Sequence, residues 1–113
     1  MKSENTLENG LVRHIIFKEN GIWYGVALEF NIVEEGDNPV EVMASLFEAI
    51  QGYVETAQKC KAGAAPLNQE PDKEYQKLWE KLAEAQAAGN KNEKLLQVYN
   101  FGYTPFASYA LCH

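Results

Sequence analysis

The chain has 113 residues, of which 46% are hydrophobic and 23% charged, and it carries a net charge of -6 at pH 7. That is the length of one ordinary domain with average globular usage, which excludes a disordered chain. No run reaches the roughly 18 apolar residues of a spanning helix and the first residues lack the apolar stretch of a signal peptide, so a cytoplasmic protein is expected.

The first predicted element is a β-hairpin. Val12 to Glu19 and Ile22 to Phe30 are two β-rich runs split by Asn20-Gly21, and Asn-Gly favours the type I′ turn, whose central residues both need positive φ. The register follows by counting: Glu19 faces Ile22, Phe17 faces Tyr24, Ile15 faces Val26 and Arg13 faces Leu28. Period two then sorts two faces. Face one carries Ile15, Phe17, Tyr24, Val26, Leu28 and Phe30 and reads as the core face. Face two mixes Val12, His14, Ile16, Lys18, Trp23, Gly25, Ala27 and Glu29; it still holds Ile16 and Trp23, so it too is expected to be partly covered.

Asn31 to Glu35 reads as a short third strand. The stretch Glu34-Glu35-Gly36-Asp37-Asn38-Pro39-Val40-Glu41 follows. Its four carboxylates lack the alternate spacing of a calcium loop, whereas the signals for a helix start are complete. Asn38 can cap, Pro39 suits the first helical position, and Asp37 and Glu41 sit at the positive end of the helix dipole. Met43, Leu46, Phe47, Ile50, Tyr53, Val54 and Ala57 recur at helical spacing, and this helix is expected to lie on face one.

Gly63 to Pro71 has the composition of a linker. Beyond it, Tyr75, Leu78, Trp79 and Leu82 form one stripe of a second helix whose outer face alternates lysines and glutamates, with Gly89-Asn90 as its stop. Leu95 to about Phe101 reads as a strand, with helix as the alternative, followed by an aromatic closing segment. Cys60 and Cys112 read as two reduced packing cysteines, too far apart for a disulfide framework or a metal motif. The expected organisation is a core over residues 11–62, with residues 63–113 packing on that core or on a second subunit. The fold class is α+β: a small antiparallel sheet, a helix, a C-terminal helix and an extra strand.

The chemistry is sparse. His14 and His113 have no nucleophile or metal partner at motif spacing, and the glycines are scattered through turns instead of forming a phosphate loop. No enzyme, cofactor or metal is therefore expected. Residues up to 62 hold ten acids and five bases; the remainder hold six acids, five lysines and no arginine. Affinity for a phosphate backbone draws on Lys and Arg, so direct nucleic-acid binding is not expected.

From Val12 to about Ala57 the chain resembles the HicB family of antitoxins and their stand-alone relatives. The likeness lies in Gly21-Ile22-Trp23-Tyr24-Gly25-Val26-Ala27-Leu28, the Gly36-Asp37 turn and the helix Glu41 to Val54. The resemblance implies a partial RNase H fold with a binding role, and as partner a small basic mRNA-cleaving toxin of the HicA type. An acidic surface would attract such a partner by complementary charge. Glu34, Glu35 and Asp37 are the expected electrostatic rim and Trp23 the apolar anchor. The alternative is an orphan relative acting as a homo-oligomeric scaffold or small-ligand module; a homo-oligomer is expected in either case.

Overall fold

A computed structural model describes residues 5–6, 9–60, 63–89 and 97–107. The elements run β1 (Asn9–Glu19), β2 (Ile22–Ala27), β3 (Ile32–Gly36), α1 (Pro39–Cys60), a short 3-10 turn (Ala65–Leu67), α2 (Lys73–Ala87) and β4 (Gln97–Ala107). The four strands form one antiparallel sheet in the order β3-β2-β1-β4. The fold is α+β, as expected. No helix among the described residues is long and apolar enough to cross a membrane.

The hairpin forms as its sequence dictates. Asn20 and Gly21 adopt φ of 53° and 80°, the two positive values of a type I′ turn. Glu19, Phe17 and Ile15 stand opposite Ile22, Tyr24 and Val26, and the Leu28 N–H donates to the Arg13 carbonyl at 2.9 Å. A further positive φ, 52° at Asn31, turns the chain into β3. Asn31 also ties that turn to the later chain, because its Oδ1 accepts from the Asp72 N–H at 3.2 Å.

Helix α1 starts where Asn38 Oδ1 accepts from the backbone N–H of Val40 at 2.8 Å and of Glu41 at 3.3 Å, satisfying donors that have no partner inside the helix. Its buried stripe is Val42, Leu46, Ile50, Val54 and Ala57. In α2 the cap is Asp72, whose carboxylate accepts from the Glu74 N–H at 2.9 Å, and Gly89 closes the helix at φ 68°.

The placement of α1 corrects the sequence reading. It packs on face two, where Val12, Ile16 and Ala27 join Val42, Leu46 and Ile50 in one cluster. Face one packs under α2, with Ile15, Phe17, Val26 and Leu28 against Trp79 and Leu82. The physical reason is Gly25. A Cβ there would lie 2.9 Å from Val42 Cγ1 and 3.2 Å from Ile16 Cδ1, so the missing side chain is what lets the helix approach. The larger side chains of face one, Phe17 and Tyr24, instead meet the aromatic stripe of α2, with the Tyr75 ring 6.2 Å from that of Phe17. The sheet is thus covered on both sides. Phe30, beyond the end of β2, joins the α1 side and meets the Tyr53 ring in a tilted arrangement at 4.8 Å.

Residues from 63 onward supply β4 to this sheet and α2 to its face one. Strand β4 extends to Ala107, past the end expected near Phe101, and pairs with β1 along its length. Leu95, Leu96, Cys112 and His113 lie outside the described residues. Cys60 is exposed and so is not a packing residue.

Candidate interaction surface

Trp23 lies on face two, in register with Gly36 on β3 and Lys18 on β1. With no side chain opposite at Gly36 and α1 beginning only at Pro39, its ring is half-buried at one end of the sheet. Lys18 Nζ sits 5.9 Å from the ring centroid, within cation–π range. Tyr99 meets the ring edge-on at 6.4 Å.

The carboxylates of the predicted rim do not converge. Glu34 stands opposite Gly25 on face two and is half-buried; Glu35 stands opposite Tyr24 on face one and is exposed. Successive side chains of a strand point to opposite faces, so this pair cannot chelate one ion. Asp37 follows the strand and is exposed. Among the described residues no group of three or more His, Cys, Asp or Glu side chains could hold a metal ion.

The acids make a ridge instead. Glu41, Glu48 and Glu55 recur at seven-residue spacing along α1, on the side opposite the stripe of Leu46 and Ile50, because two helical turns return nearly to the same face. The helix rests on β3 and β2, which puts Glu34 on its side of the sheet and Glu35 on the other, and Lys59 is the one described base among β3, the following turn and α1. β3 is a sheet edge. Ladder alternation fixes which backbone groups it offers. In the hairpin Tyr24 and Val26 bond towards β1, so Gly25 and Ala27 bond towards β3, which leaves the N–H and C=O of Val33 and Glu35 facing outward. An acid-flanked strand edge that no described residue pairs with can accept an extended segment of a basic protein.

A second region lies around β4. His14 is buried under α1, with Nε2 2.6 Å from Asn100 Oδ1 and Nδ1 2.7 Å from the Thr104 hydroxyl. Asn100 Oδ1 can only accept, which assigns the proton to Nε2 and makes the Thr104 hydroxyl the donor to Nδ1. Phe47 meets the imidazole edge-on at 5.3 Å. Burial lowers the His14 pKa from its ordinary value, while the Asn100 hydrogen bond opposes that shift. Both ring nitrogens are thereby occupied in a neutral, structural histidine. Beside it a groove of about 170 Å3 runs between α1 and β4, lined by Phe47, Ile50, Gln51, Val54, Thr104, Pro105 and Phe106.

Sequence reasoning missed two features. Arg13 donates to Glu29 Oε2 at 2.5 Å and to Gln76 Oε1 at 2.9 Å while lying over the Trp79 ring at 5.4 Å, and so pins α2 to the sheet. Leu11, Tyr99 and Tyr103, each about half exposed, surround β4. The tyrosines were legible as an aromatic cluster; the bulge at Tyr99, between the pairs Ile16↔Asn100 and Phe17↔Val98, is announced by no local signal.

No protein family, curated protein or solved structure matches the chain.

Proposed function

We propose that this is a HicB-like, non-enzymatic binding protein whose acidic flank, built from β3 and α1, engages a small basic protein; the resemblance names an mRNA-cleaving toxin of the HicA type. The observation that carries the reading is a β3 edge, open among the described residues, bordered by Glu34, Glu35 and Asp37 and accompanied by the outward stripe Glu41, Glu48 and Glu55. Main-chain hydrogen bonds along such an edge supply affinity, and the carboxylates supply steering and selectivity for a cationic partner. Trp23 adds a half-buried aromatic at the same end of the sheet, the kind of group that concentrates interface energy.

The test is co-expression with the product of the adjacent reading frame, followed by an RNA-cleavage assay and binding kinetics across a salt series. The triple variant Glu34→Lys, Glu35→Lys, Asp37→Lys is expected to slow association roughly tenfold or more at low salt and to remove most of the salt dependence. A neighbour that is not a small basic protein, or RNA cleavage that proceeds unprotected, ends the toxin reading.

A second reading, a homo-oligomeric scaffold that needs no toxin, is favoured by one observation: β4 is an edge strand with no charged residue from Gln97 to Ala107.

A further inference from the structure

The two edges of this sheet differ in chemistry. The β3 edge carries Glu34 and Glu35; two such edges brought together would oppose like charges, which destabilises a strand pair. The β4 edge is uncharged over eleven residues, within a chain whose net charge is -6. Two copies of so acidic a chain repel one another except where they meet through a neutral surface.

The backbone of β4 is also set out for self-pairing. Arg13 uses its main chain towards β2: its carbonyl accepts from Leu28 N–H, and its N–H donates to Glu29 Oε1 at 2.8 Å. Alternation then turns Val12, His14 and Ile16 towards β4, where their partners are Thr104, Gly102 and Asn100. Phe101, Tyr103 and Pro105 consequently aim their backbone groups away from the sheet. Pro105 fits there, since a proline is tolerated on an edge where its missing N–H serves no ladder. Only Phe101 and Tyr103 offer complete outward donor and acceptor pairs between that proline and the bulge at Tyr99.

We propose that a second copy of the chain docks on this edge, β4 against β4 about a two-fold axis beside Gly102, joining the two sheets into one. In that register Phe101 of each copy faces Tyr103 of the other, making two reciprocal hydrogen-bonded pairs. Pro105 falls opposite the bulged Tyr99, where neither requires a ladder partner. The pairing is self-complementary, as a two-fold interface must be. Phe101 and Tyr103 share face one, so their rings form cross-strand aromatic pairs over the axis, covering Tyr103, which is 59% exposed in the single chain. This interface lies at the opposite edge from the acidic flank and stands or falls separately from the toxin reading.

Sedimentation equilibrium of the full chain over a wide concentration range gives the test, with site-resolved hydrogen exchange alongside. The expected mass at high concentration is twice 12.7 kDa, with the Phe101 and Tyr103 amides gaining protection as concentration rises. Tyr103→Pro removes an outward N–H that β1 does not use, and Tyr103→Lys places a charge opposite Phe101 of the other copy and diagonal to its own symmetry mate; each is expected to weaken the dimer about tenfold or more while circular dichroism remains native. If Tyr103→Pro does not fold, Tyr103→Lys and the exchange pattern decide. A monomer at every concentration overturns the proposal, as does a dimer indifferent to Tyr103→Lys or one dissolved by Glu35→Lys at the other edge.

Discussion

His14 couples the protein's stability to pH. Its ring is buried, with Asn100 and Thr104 on its two nitrogens, and burial holds its pKa below the ordinary value in the folded chain. Below a pH of about 6.5 the unfolded chain therefore takes up a proton that the folded chain resists, so the unfolded state binds more protons and stability falls as pH drops. Above that pH both states are neutral and the histidine contributes no slope. Denaturant titrations between about pH 5 and 7 are expected to show this loss, and His14→Gln is expected to flatten it. An equally steep profile in the variant would place the titration elsewhere. Thr104, whose hydroxyl bonds His14, also lines the groove beside α1.

Helix α1 depends on what β2 leaves out. Gly25→Ala would put a methyl 2.9 Å from Val42 Cγ1 and 3.4 Å from Leu46 Cβ, and overpacking of this kind costs about 1–3 kcal/mol. The expected outcome is a lower denaturation midpoint with an unchanged m-value; equal stability would mean that α1 is free to move away from the sheet. The same glycine explains what could and could not be read in advance. Asn20-Gly21, Asn38-Pro39 and the three-four spacing of Leu46, Phe47 and Ile50 are local signals, and the hairpin, its register and the start of α1 followed from them. The side of the sheet each helix takes is a long-range choice. Apolar count pointed α1 to Ile15, Phe17, Tyr24 and Val26; close approach sent it to Gly25 and Ala27. Of the surface residues named from sequence, Trp23 and Glu34 share face two while Glu35 faces the other way, a consequence of period two that the run of acids in the sequence concealed.

Across the whole molecule, the sheet joins distant parts of the chain. β4 pairs with β1 although Asn9 and Ala107 stand near opposite ends of the sequence, and Asn5 reaches across to the chain after α1 by donating from Nδ2 to the Leu67 carbonyl at 2.8 Å. Face one of the hairpin is covered by α2. A fragment of residues 1–62 would keep the hairpin and α1 but expose Ile15, Phe17, Val26 and Leu28 together, an apolar surface that isolated soluble domains seldom tolerate. It is expected to lose cooperative thermal unfolding and the near-ultraviolet signal of packed aromatics. A sharp melting transition in the fragment would instead make residues 63–113 an accessory.

β1 alternates between the two cores. Ile15 belongs with Trp79 and Leu82, while its neighbour Ile16 belongs with Leu46 and Ile50, and both are fully buried. Gaining or losing a single residue between Val12 and Phe17 would thus exchange the contents of two interiors at once, sending Arg13 and His14 each into the other's surroundings. Changes of length in this protein must be absorbed outside that strand, and the turn at Asn20-Gly21 is the nearest place where the chain can take them up.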